Sequence, residues 1–202
     1  MPQPFSDAVI TAAGAALLLR VETGEAALEV TKIVVGDGVY SQAERTPANL
    51  RQRTALKSLR NTYTPSHVSI VSEDSIKITT LISNLDPVTE EPLITSGYFI
   101  NEIGVYAKEE GGASSTEVLY CIAVTGGETG DYMPAYAGGG AAQITQDIYL
   151  TVGNAATTYV NAAGAAFLAT EGQALKTRVA DLETCGFSVV DGELNVTYTP
   201  EE

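Results

Sequence analysis

The chain has 202 residues, 45% of them hydrophobic and 18% charged, with 11 basic against 25 acidic side chains and a formal net charge of −14. That apolar fraction belongs to a globular protein, of one ordinary domain plus an appendage or of two small domains. So acidic a balance excludes a general nucleic-acid binder and disfavours membrane insertion at anionic surfaces, since both need a basic face.

The first residues, MPQPFSDAVI, lack a basic region followed by an apolar core, so no signal peptide is expected. Thr11 is a good N-cap before the helix-prone run AAGAALLLR, in which Gly14 costs about 1 kcal/mol relative to Ala. LEVTKIVV (28–35) predicts a strand that stops at the turn cluster Gly36-Asp37-Gly38. The polar stretch 40–65 carries Arg45, Arg51, Arg53, Lys57 and Arg60, and Leu56 and Leu59 lie at helical spacing within 50–60. VSIV and SIKITTLIS, joined at Glu73-Asp74, predict a hairpin with Ile76, Ile78, Thr80 and Ile82 on one face. YFINEIGVY (98–106), VLYCIAV (118–124) and the alternating Ile144, Gln146, Ile148, Leu150 and Val152 predict three further strands.

After residue 155 the pattern changes. Leu168, Leu175, Val179 and Leu182 follow a/d spacing, with Gly172 in the missing position, which predicts a coiled coil of about two to three heptads. A helix that short is marginal alone and needs partner helices or a docking surface. Asp191-Gly192 between alternating arms predicts a C-terminal β-hairpin with a type I′ turn. The expected fold class is therefore α+β. A β-rich N-terminal domain with one or two short helices (1–155) precedes a linker and short trimeric coiled coil (156–185), then a hairpin (186–202).

No catalytic or metal constellation emerges. Glu90-Glu91 and Glu109-Glu110 are adjacent carboxylates, not a pair flanking a bond as glycosidases need. GGETGD (126–131) matches a calcium-binding repeat only once and imperfectly. His67 has no nucleophile near it in sequence, and one His with Cys121 and Cys185 gives no zinc spacing. Cys121, inside VLYCIAV, is expected to be a buried small hydrophobe. No cofactor is expected. The stretch between Glu44 and Glu73 has no acidic residue. It is either a solvated balance to its own acidic domain or a surface where Arg45, Arg51, Arg53, Lys57 and Arg60 dock onto an acidic partner.

Five segments in order carry a resemblance: TKIVVGDGVYS (31–41), RTALKS (53–58), GYFINEIGVYAK (97–108), EVLYCIAV (117–124) and GDYMPAY (130–136). Together with the opening FSDAVITAAGAALL, this order resembles the N-terminal collar domain of bacteriophage tail fibres, over roughly residues 5–155. The resemblance implies a non-enzymatic, trimeric virion protein of the tail, made in the cytoplasm of a bacterial host. It would be a tail-fibre or baseplate-fibre subunit whose N-terminal domain attaches to tail or baseplate proteins. No long shaft or sizeable tip follows, so a short fibre or an adaptor carrying a distal fibre protein is expected. A carbohydrate-binding module that recognises a host-surface glycan through Tyr132, Tyr136 and Tyr149 is the alternative. A depolymerase ranks last. Within the motifs, Ile103 and Val105 are expected on one strand face, Gly36 and Gly38 at positive φ, and Glu102 bonded to a neighbouring backbone.

Overall fold

A computed structural model describes residues 4–127, 129–153, 159–160, 185–190 and 193–198 of the chain. The chain divides into two compact units, Met1–Ala166 and Phe167–Glu202. In the first, β1 (Val9–Ile10) leads through α1 (Ala12–Glu22) to β2 (Leu28–Gly36), α2 (Pro47–Arg51), β3 (Leu59–Tyr63), β4 (His67–Ser72) and β5 (Ser75–Ser83). Then come β6 (Tyr98–Ile100), β7 (Glu102–Glu109), a 3₁₀ turn (Ser114–Thr116), β8 (Val118–Val124), β9 (Asp131–Met133), β10 (Gln143–Thr151) and β11 (Tyr159–Val160).

The main sheet runs β1-β8-β7-β2-β11, with β3 also paired to β2. All its pairs are antiparallel except β11 with β2. A second sheet has the order β10-β5-β4, and β6 and β9 form a two-stranded ribbon. The larger apolar cluster takes Val30, Ile33 and Val35 from β2 and Ile103 and Val105 from β7, with Ile76, Ile78 and Ile82 from β5 and Ile148 and Leu150 from β10. It is thus the filling between two sheets, as period-two alternation with one face inward requires. The other face of the main sheet carries Val34, Leu119 and Ile122, covered by Tyr40, Leu50 and Leu56.

α1 starts where the sequence places it. The Thr11 hydroxyl accepts from the Gly14 amide at 2.9 Å, and Thr11 is fully buried. Gly14 has a packing reason as well. A Cβ there would collide with the carbonyl of Tyr120, so the glycine lets the helix lie directly on β8.

The expected α+β class is overturned: the protein is mostly β-sheet, with two helices and no long coiled-coil helix among the described residues. One reason is specific. The Leu56–Leu59 spacing, taken as helical, belongs to a loop and the start of a strand: Leu56 is buried beside Gly104, while Leu59 opens β3 exposed. Only Pro47–Arg51 is helical in that stretch. Leu168, Leu175, Val179 and Leu182, the predicted coiled-coil positions, lie outside the described residues.

In the second unit, β12 (Cys185–Val190) and β13 (Glu193–Tyr198) pair antiparallel, from Cys185 opposite Tyr198 to Val190 opposite Glu193. That register leaves two residues between the strands, the loop length expected of the hairpin. Asp191 and Gly192 themselves lie outside the described residues.

Candidate attachment surface

Two of the predicted docking residues lie beside one buried carboxylate, Lys57 through its backbone amide and Arg53 over the Tyr40 ring whose hydroxyl bonds to it. Glu102 opens β7 with no exposed surface. Its Oε1 accepts from the backbone amides of Gly38 (3.1 Å) and Ser58 (2.7 Å), and its Oε2 from the Lys57 amide (2.8 Å) and the Tyr40 hydroxyl (2.5 Å). Four donors on two oxygens satisfy an ion that would otherwise be costly to bury. The expectation of a backbone partner holds, but the donors come from two distant loops.

Gly36 and Gly38 differ from the expectation: neither has positive φ. A Cβ at Gly38 would stand 2.5 Å from Glu102 Oε1, and one at Gly36 would collide with the Ser58 carbonyl and the same carboxylate. They are glycines because the carboxylate occupies the space. Ile103 and Val105 face the inter-sheet core as expected, while Gly104, between them, leaves room for Leu56 and Leu119 on the opposite face.

The five predicted docking residues, here the basic rim, mostly have partners within the unit. Arg45 donates Nη1 and Nη2 to the carbonyls of Gly126 (2.5 Å) and Gly127 (2.9 Å), so the turn weighed as a calcium loop receives a guanidinium instead. Lys57 Nζ donates to Glu44 Oε1 at 2.9 Å and to the Val39 carbonyl at 2.8 Å. Arg53 lies 3.7 Å from Glu44, and both Arg53 and Lys57 stand over the Tyr40 ring, at 4.9 and 5.4 Å from its centroid. Arg60 Nε pairs with Asp37 at 2.7 Å and its guanidinium covers Tyr98. Arg51, exposed in the last turn of α2, has no ion pair or hydrogen bond among the described residues.

These contacts show in the titration of the groups involved. The Ser41 amide, with Lys57 behind it, pulls the Glu44 carboxyl down to about 2. Burial works to raise Asp37, but hydrogen bonds from Ser58 and Arg60 override it and hold the carboxyl below its ordinary value. Burial, reinforced by Glu102, pushes the Tyr40 hydroxyl up, so it stays a donor to the carboxylate.

The alternative site residues are not brought together by any contact among the described residues. Tyr132, 55% exposed on β9, packs against Phe99 on β6 with ring centroids 5.1 Å apart. Tyr149 is on β10, and Tyr136 follows β9, its amide bonded to the Ile94 carbonyl. The sequence pattern does not single out Phe99, because its partner is a cross-strand neighbour from a distant segment. Asn101 is not singled out either. It breaks the predicted strand 98–106 into β6 and β7, and its side chain ties the Asp37 carbonyl (3.1 Å) to the Gly130 amide (2.8 Å).

The remaining candidates are peripheral. His67 opens β4 at the margin of its sheet, Glu109 pairs with Arg20, and Glu90 and Glu91 are exposed in a loop. Cys121 is free and buried, and burial pushes its thiol up to about 12. No cluster of three or more His, Cys, Asp or Glu able to hold a metal occurs among the described residues, and no helix among them is long and apolar enough to cross a membrane. No protein-family model, no curated protein and no solved structure matches the chain.

Proposed function

We propose that the chain is a non-enzymatic virion protein, a trimeric tail-fibre or baseplate-fibre subunit or adaptor whose first unit attaches to the tail. The observation that carries the reading is the convergence of its motif segments. TKIVVGDGVYS supplies Gly36, Gly38 and Tyr40, RTALKS supplies the Lys57 and Ser58 amides, and GYFINEIGVYAK supplies Glu102. Three segments that look collar-like in sequence thus meet at Glu102, and Lys57 and Arg53 lie beside that meeting point, which supports the reading.

Among the described residues Arg51 is the rim residue with no ion pair or hydrogen bond, so Arg51→Glu is the informative substitution. Attachment to purified tails lacking the fibre should fall at least tenfold, with the trimer by light scattering and the melting temperature unchanged. Undiminished attachment would remove the rim from the docking surface, and a monomer at micromolar concentration would count against the fibre reading as a whole.

A second reading, host-glycan recognition, draws on the exposed Phe99–Tyr132 pair, since aromatic faces stack on sugar rings. Binding on a glycan array that Tyr132→Ala abolishes would favour it. Silence there with binding to tails favours the adaptor.

A further inference from the structure

The second sheet leaves one long strand edge unpaired among the described residues. β10 pairs with β5 along nine residues, in unbroken register from Gln143 opposite Ser83 to Thr151 opposite Ser75, and no described strand lies on its other side. Which backbone groups face outward follows from the two ends of the ladder. The Asn84 amide donates to the Ala142 carbonyl at 3.1 Å, and the Val152 amide donates to the Asp74 carbonyl at 2.8 Å. Even-numbered residues of β10 therefore bond to β5, and Thr145, Asp147 and Tyr149 turn their N–H and C=O groups away from it. One of these has a substitute partner already: the Gln146 carboxamide donates to the Asp147 carbonyl at 2.9 Å.

Sheet edges are commonly blunted by bulges, prolines or lysines. β4, at the opposite margin of the same sheet, has a register irregularity between Ile70 and Ser72. β10 has no bulge, no proline and no lysine. Beside it lies a cleft of about 390 Å³ between residues 146–149, residues 5–8 and an apolar wall of Ile103, Val105, Cys121 and Ala123. The inner face of the second sheet is interrupted at the same level. Gln146 breaks the series Ile144, Ile148 and Leu150, and Thr80, directly opposite it, is fully buried with its hydroxyl lacking a hydrogen-bond partner among the described residues.

Charge decides between possible occupants. Asp7 and Asp147 both line the cleft. Asp147 meets the Thr79 hydroxyl at 2.6 Å and Lys77 at 3.5 Å on the sheet. Antiparallel pairing of two β10 strands centred on Asp147 would set the two carboxylates opposite each other, in a chain of net charge −14. A second copy is therefore a poor occupant.

We propose that β10 is an acceptor edge. An extended segment of another protein, alternating in apolar residues and carrying a Lys or Arg toward Asp147, adds as a strand outside β10 and sets a side chain into the cleft. That this protein belongs to the tail rests on the function proposed above; the strand addition does not.

The test uses the full chain and a capped synthetic peptide of about nine residues, alternating Thr and Val with a central Lys. Calorimetry should show binding tighter than about 1 mM. Thr145→Pro with Tyr149→Pro removes two outward N–H groups that the sheet does not use, and should weaken binding at least tenfold without lowering the melting temperature. Should the double variant not fold, a peptide N-methylated at alternate amides serves instead and should not bind the unaltered chain. No binding up to about 1 mM, or equal binding by the methylated peptide, overturns the proposal. Fibre-free tails separate the two readings. If the unaltered chain attaches and the folded proline variant attaches equally well, the tail contact lies elsewhere: the adaptor survives, and the assignment of β10 to a tail strand does not. If the unaltered chain fails to attach, the adaptor reading falls, and the peptide alone judges the edge.

Discussion

Glu102 has no exposed surface, and its charge is met by three backbone amides and a phenol rather than by a basic side chain. Removing it by Glu102→Ala leaves the buried Gly38 amide and the part-buried Lys57 and Ser58 amides without their acceptor, and should cost about 2–4 kcal/mol. Glu102→Gln is milder. The carboxamide nitrogen can donate to Tyr40, which then accepts, but the same nitrogen faces the Lys57 amide, so about 1–3 kcal/mol should be lost. Both appear as a lowered urea midpoint with an unchanged denaturant slope. Gly38→Ala separates two explanations for that glycine. With φ outside the left-handed region, alanine should stabilise by about 0.4–1 kcal/mol if backbone freedom were all that mattered. Because its Cβ would press on Glu102 Oε1, destabilisation is expected, and the sign alone decides.

Gly14 poses the same question for an element. In an exposed helix Gly→Ala would stabilise by about 1 kcal/mol. Here the added methyl meets the Tyr120 backbone, so Gly14→Ala should push α1 off β8 and lower the thermal midpoint, with loss of protection of the β8 amides by hydrogen exchange. The sequence exposed the cap of this helix but not the approach, since periodicity carries no information about what lies across the interface. The same limit governs the strands. Ile76, Ile78 and Ile82, and Ile148 and Leu150, were legible because alternation reports a half-buried surface directly. β3 was not, because LRNTY is largely exposed and becomes a strand only by pairing with β2. Leu56 misled for a related reason: its burial follows from the space at Gly104, not from a helical face. For the candidate site, the basic cluster could be read from composition, whereas its partners Glu44, Asp37, Tyr40 and Tyr98 are assigned by tertiary contact alone.

Across the whole molecule, the acidic surplus acts on stability in two opposing ways. Glu44, pulled from an ordinary 4.5 to about 2, and Asp37, Asp74 and Asp86, also lowered, hold fewer protons folded than unfolded. Their stabilising contribution is fully present above pH about 4.5 and is lost as pH falls toward 2. Relief of self-repulsion in a chain of charge −14 works the other way. The melting temperature should nonetheless drop between those limits, and the deficit of Glu44→Gln should be full above pH about 4.5 and shrink steadily as pH falls toward about 2. The division into units gives a separate expectation. The described core between the sheets draws on no residue beyond Val152, so a chain ending at Ala166 should keep the near-ultraviolet circular dichroism of unit 1. Among the described residues the second unit offers only a two-stranded ribbon, which by itself is marginally stable at best in water. If the proposed trimer forms through this unit, copies of the ribbon would supply the further strands it lacks. The shortened chain should therefore scatter as a monomer and melt independently of concentration, while the full chain melts higher as its concentration rises. Persistence of the trimer in the shortened chain would move that interface onto the first unit.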